Sequence, residues 1–260
     1  MAWQRHDRVL VLEARSLLWA LDPLAETPEG GVVITVAQGP DLERLRAQLQ
    51  VLDALRQPQL LVVPPHSPET LGAQLAAEAG GRFDRVVARQ PWQHLNAGQV
   101  GAWIGAVGAQ LSPNGEWRLL FSTPQLGPCA GLQSVLNGAE PPLQALVEEL
   151  TGLEQQRLLG QPGPGQIARS GLIAQGWSVQ EQHWQEALQL ELSPALIERW
   201  LGPDSTYLQE LASLRGTPLG ADAVRTLREA FSSHLGQAVP QALEHTLLLA
   251  TKKPRQRRGP

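Results

Sequence analysis

Short apolar runs alternate with longer segments of helical period through the first half of the chain. The runs are RVLVLE, GVVITVA, QLLVVP, FDRVVAR and EWRLLFST, each bounded by Gly, Pro, Asp or Asn and most of them rich in β-branched residues. That pattern marks buried strands. Between them lie ARSLLWALDPLAE, PDLERLRAQLQVLDALRQ, SPETLGAQLAAEAG and GQVGAWIGAVGAQL. In the second of these, Leu42, Leu45, Leu49 and Leu52 fall at helical spacing, with Glu43, Arg44 and Arg46 around the other face. Ser67 is a good N-cap, with Glu69 and Thr70 in the first turn. Strand–helix–strand steps whose strands are apolar on both faces predict a parallel sheet covered by helices. Right-handed crossovers then bring the strand carboxyl ends to one edge, where doubly wound folds bind ligands.

From about Pro124 the texture changes. STPQLGPCAG and GQPGPGQ read as Gly/Pro loops. PPLQALVEELTGLEQQRLLG between them reads as one helix, with Pro142 suited to its first turn. GWSVQEQHWQEALQLEL predicts an antiparallel strand or hairpin, and SPALIERWLG a helix capped by Ser193 with Pro194 at its first position. STYLQELASLRG and GADAVRTLREAFSSHLG continue the helical run, and ALEHTLLLATKK closes the chain as a strand. The second half thus adds one or two strands to the sheet, interrupted by a small helical lobe within one domain spanning 1–251.

Composition sets limits on function. The 260 residues suffice for a large core. Cys129 is the single cysteine, which excludes an internal disulfide and a cysteine-based zinc site. The charged start MAWQRHDR lacks the apolar stretch of a secretory signal, so a cytoplasmic location is the expectation. The net charge is −4, yet the end of the chain, 252–260, is basic: Lys252, Lys253, Arg255, Arg257 and Arg258. An acidic body is not a general nucleic-acid binder. The basic end alone reads as a disordered, solvated tail that could make a weak phosphate contact.

Two stretches carry a family resemblance. FDRVVARQPWQHL, Phe83 to Leu95, is similar to the fourth motif of class I S-adenosylmethionine-dependent methyltransferases, and LSPNGEWRLLFSTPQLG, Leu111 to Gly127, resembles their turn into the fifth strand. The resemblance implies a three-layer α/β sandwich: a Rossmann-like, mostly parallel seven-stranded sheet with a helical lid at about 193–236. It also implies S-adenosylmethionine as cofactor. The stretch RHDRVLVLEARSLLWALDPLAETPEGGV further resembles the methyltransferase-like region fused to the AAA+ ATPase of the replication-associated recombination factor family in cyanobacteria. A AAA+ ATPase partner and a role in DNA maintenance follow from that resemblance. No G-x-x-x-x-G-K-[ST] motif occurs in this chain.

The cofactor turn departs from the family pattern. After the first strand the family shows glycines that permit unusual backbone angles and close approach to the cofactor. Here the turn reads Glu13, Ala14, Arg15, Ser16. The family acid that holds both ribose hydroxyls after the second strand is replaced by Ala37 and Gln38, with Asp41 further along. These departures speak against ordinary S-adenosylmethionine binding and lead to a non-catalytic or weakly active accessory domain. The alternative is an active methyltransferase with an atypical pocket, in which Glu13, Ala14, Arg15, Ser16, Gln38 and the turn around Arg89 hold the cofactor and His94 acts as a base near the substrate. Against a role for His94 stands an ordinary loop histidine. Pro91 and Trp92 beside it form either an aromatic wall or plain packing. The remaining histidines, His66, His183, His234 and His245, lack metal-ligand spacing.

Overall fold

In a computed structural model of the chain, residues 3–64, 67–77, 81–92, 95–136, 140–160 and 162–252 are described. Seven strands form one sheet in the order β3-β2-β1-β4-β5-β7-β6: β1 (Val9–Leu12), β2 (Val32–Val36), β3 (Gln59–Val62), β4 (Phe83–Arg89), β5 (Leu111–Pro124), β6 (Trp177–Glu191) and β7 (Ala238–Lys252). The first five pair in parallel, with Val9 opposite both Val32 and Arg85, and Val33 opposite Gln59. Contacts between β6 and β7 run in opposite senses, Trp177 with Lys252 at one end and Leu192 with Gln237 at the other, so the sheet is mixed. This is an α/β fold, mostly parallel, with a helical insertion. Among the described residues no helix is long and apolar enough to cross a membrane.

The helices are α1 (Leu21–Glu26), α2 (Pro40–Leu49), α3 (Pro68–Ala77), α4 (Ala97–Gly108), α5 (Pro128–Gln133), α6 (Pro141–Gly160), α7 (Pro164–Ala174), α8 (Pro194–Leu201), α9 (Thr206–Arg215) and α10 (Ala221–Ser232). The chain divides into two compact units: 1–121 with 164–183 and 246–260, and 122–163 with 184–245.

In the first unit the period-two alternation of the strands sorts their side chains to two faces. Val9, Val11, Val32, Ile34 and Val36 pack with Leu42, Leu45 and Leu49 of α2. Leu10, Leu12, Val33, Val86 and Ala88 pack with Leu71 and Leu75 of α3, Ile104 and Val107 of α4, and Leu172 of α7. The result is three layers. At the base of the sheet, buried Arg85 lies between Asp7 at 3.1 Å and Glu116 at 3.2 Å. The two carboxylates offset part of the desolvation cost of burying the cation.

In the second unit α5, α6 and α8–α10 share a core built on Leu132, Leu150, Ile197, Leu211, Leu227 and Phe231. Glu154 of α6, only 2% exposed, accepts from the Cys129 N–H at 2.9 Å, the Ala130 N–H at 3.0 Å and the Tyr207 hydroxyl. It thereby caps the start of α5, where a negative charge is favourable. A side chain on Gly127 would overlap this carboxylate.

Three readings of the sequence are corrected. STPQLGPCAG is not loop throughout: α5 begins at Pro128, because a proline suits a first helical turn and Glu154 supplies the missing cap. GQPGPGQ likewise gives way at Pro164 to α7, which buries Ala168 and Leu172. LSPNG is not a turn before the fifth strand but part of β5. Leu111 pairs Phe83 and Glu116 pairs Arg85, so Ser112 to Gly115 form a bulge in which Gly115 lies against Leu111.

Candidate functional site

The parallel order places the carboxyl ends of β1 and β4 side by side, with β2 beyond β1. At the end of β1 the chain leaves the sheet through Glu13, whose φ is 51°. Its N–H donates to Thr35 Oγ1 at 2.9 Å, and the Ala14 N–H donates to the Thr35 carbonyl at 2.9 Å. The first two residues of the turn are therefore pinned to β2. The Glu13 carboxylate reaches the other way and accepts from the Trp92 N–H at 3.1 Å, past the end of β4. Ala14 is buried. The Arg15 side chain is exposed, and its carbonyl accepts from Arg44, which also pairs with Asp41 at 2.8 Å. Ser16 caps the short 3-10 turn Leu17–Trp19, and the Leu17 N–H donates to Gln48 of α2 at 2.8 Å.

The end of β4 has the same unusual backbone. Gln90 has φ 54° and Trp92 φ 60°; with Glu13 these are the non-glycine residues of positive φ among the described residues. A left-handed backbone costs a residue with a Cβ about 1–2 kcal/mol. The charge-assisted bond from Trp92 to Glu13, worth about 1.5–3 kcal/mol, offsets part of that cost. Trp92 is 4% exposed and its ring meets Trp117 edge-on at 6.2 Å, so it belongs to the core and is not an open aromatic wall. Its indole N–H is buried without a hydrogen-bond partner among the described residues.

The other sequence candidates are dispersed along this edge. Ala37 and Gln38 are exposed beyond β2, ahead of Gly39 at φ 112°. Arg89 is exposed at the last position of β4. His94 and His66 lie outside the described residues. A cleft of about 160 Å³ opens between the start of α3 and the first two turns of α4, lined by Pro68, Glu69, Leu95, Gln99, Ala102 and Trp103. Sequence reading reached Glu13 but missed Thr35, Gln48, Gln90 and the Trp92 amide. The last three act through backbone angles or long-range contacts that leave no motif.

Chemically, the edge offers a carboxylate and strained turns whose amides face a neighbouring strand end. Among the described residues no group of three or more His, Cys, Asp or Glu could hold a metal ion.

No family model and no curated protein matches the sequence. Among solved structures, the chain is similar to the cyclopropane synthase MmaA2 from Mycobacterium tuberculosis (13% identity, TM-score 0.46, covering 96% of this chain and 79% of that one). It is also similar to a precorrin-6y C5,15-methyltransferase from Geobacter metallireducens (12%, 0.46, 96% and 81%). A third is the geranyl diphosphate C-methyltransferase from Streptomyces coelicolor, whose structure contains S-adenosyl-L-homocysteine (7%, 0.46, 97% and 72%). At such values the likenesses add nothing about chemistry.

Proposed function

We propose that the β1–β4 edge binds S-adenosylmethionine and that the chain is a methyltransferase with an atypical, glycine-free cofactor turn. The observation that carries this reading is the clustering of Glu13, Gln90 and Trp92, all in left-handed backbone, on two adjacent strand ends. Strained backbone persists only where the surroundings over-determine it, and such residues gather at functional sites. The turn after β1 thus keeps, at Glu13, a backbone angle that glycine would adopt without cost.

The side chains present fit the cofactor's chemistry. Glu13 offers a carboxylate to its ammonium group, and the Gln38 amide can pair with a ribose hydroxyl. Bound S-adenosylmethionine supplies the methyl group. The turns at Glu13 and Gln90 orient it, and His94 is the sequence's candidate base.

A second reading is a non-catalytic accessory domain beside a AAA+ ATPase in DNA maintenance, with Lys252, Lys253, Arg255, Arg257 and Arg258 contacting phosphates. One specific observation favours it: the Glu13 carboxylate already has a backbone partner, while Arg15 and Gln38 stand where the family has glycine and acid.

Thermal unfolding with and without cofactor separates the two. A ligand at a hundredfold excess over its dissociation constant stabilises by about 2.7 kcal/mol. The methyltransferase reading expects such a shift with S-adenosylmethionine and its loss in Glu13→Ala. No shift at millimolar cofactor supports the accessory reading.

A further inference from the structure

Three side chains of the second unit, one from each of β5, β7 and β6, form a hydrogen-bonded relay. Ser122 Oγ lies 2.9 Å from His245 Nδ1, and His245 Nε2 lies 3.1 Å from Glu186 Oε2. We infer that Ser122, His245 and Glu186 are a second catalytic centre, of the acyl-transfer class, that hydrolyses carboxylic esters independently of the cofactor edge.

The geometry meets the requirements for an activated nucleophile: a serine within hydrogen-bond reach of a base, and a third group that orients the base. His245 is 6% exposed, and its ring stacks on Trp184 at 5.0 Å and 17°, which fixes its plane. A carboxylate accepts only, so Glu186 selects the tautomer with the proton on Nε2 and leaves the Nδ1 lone pair for the Ser122 hydroxyl. The neighbouring carboxylate, Glu244, accepts from Gln125 at 3.1 Å. Ser122 is half-buried, Glu186 is half-exposed, and Trp184 is 44% exposed, so the relay meets solvent beside an apolar ring able to pack an acyl or aryl group.

A similar set one residue away shows what the relay has in addition. Thr246 Oγ1 lies 3.2 Å from His183 Nδ1, and His183 Nε2 lies 3.2 Å from Glu181. There the imidazole is half-exposed, and Glu181 is shared with Arg169 at 3.0 Å.

In the reaction, Ser122 Oγ bonds to the ester carbonyl carbon as its proton passes to His245 Nδ1. The carbon–oxygen bond to the alcohol then breaks, and the alcohol leaves with that proton. Water, deprotonated by the same nitrogen, releases the acid and restores the serine hydroxyl. Ser122 and His245 are the catalytic residues, and Glu186 is a positioning residue.

The test is covalent labelling of the full chain with a fluorophosphonate, with the modified residue located by peptide mass spectrometry and hydrolysis of p-nitrophenyl acetate followed in parallel. The expected result is one label per chain on Ser122, absent in Ser122→Ala and unchanged in Thr246→Val. His245→Gln slows labelling about 100-fold or more, the contribution of a general base. Glu186→Gln slows it at an unchanged unfolding midpoint, and Glu186→Asp restores most of the rate. The half-exposed Glu186 pair keeps the inference testable if His245→Gln does not fold. Folded chain that takes no label on Ser122, or labels equally fast in Glu186→Gln, overturns it.

Discussion

Glu13 is a residue whose identity and backbone disagree, since a carboxylate-bearing side chain stands at φ 51° and is held there by the amide of Trp92, 79 positions along the chain. Gln90 stands in the same conformation at the end of β4 and gives a test free of the carboxylate. Gln90→Gly should leave stability unchanged or raise it by about 1 kcal/mol, whereas Gln90→Val, β-branched at positive φ, should lower it by about 1–2 kcal/mol. Urea unfolding of the two variants measures the difference. The departure at Glu13-Ala14-Arg15-Ser16 was legible in the sequence as missing glycine. Its retained backbone angle was not, because that angle is imposed by Thr35 of β2 and by Trp92 in the turn after β4. Cys129 makes a second residue-scale prediction. Burial, and then the Glu154 charge, push its thiol from the ordinary 9.0 up to about 12. Alkylation by iodoacetamide at pH 8 should therefore be negligible in the folded chain and fast in urea. Because the folded value is raised, the thiol's contribution to stability is complete below pH 9 and is lost as pH rises towards 12.

At the scale of elements, the strands were the clearest part of the sequence, since β-branched runs bounded by breakers leave little choice. The helices missed were α5 and α7, which open on Pro128 and Pro164 inside Gly/Pro-rich stretches. Composition there reads as loop, while the deciding contacts are distant: Glu154 caps α5 from α6, and Gly165 of α7 packs on Phe121. This assigns a cost to Gly127. Gly127→Ala must displace the Glu154 carboxylate from two backbone amides, and a buried charged acceptor left without partners costs about 1–3 kcal/mol or more. Chemical denaturation should show that loss at an unchanged m-value, and a neutral result would mean that α5 tolerates losing its cap.

Across the whole molecule, the element order anticipated five parallel strands, one or two more and a small helical lobe, while the count of seven strands came from the family resemblance. The site was only half legible. Glu13 and Gln38 came from alignment to a pattern, while the strained pair just past β4 and the Ser122–His245–Glu186 relay depend on strands that the sequence does not show to be neighbours. Isothermal titration of the full chain with S-adenosylmethionine tests the central claim most directly. The account predicts saturable one-site binding with a dissociation constant in the usual range of about 1 μM to 1 mM, weakened at least about tenfold in Glu13→Ala. Absence of heat at millimolar cofactor, or equal affinity in Glu13→Ala, would contradict it.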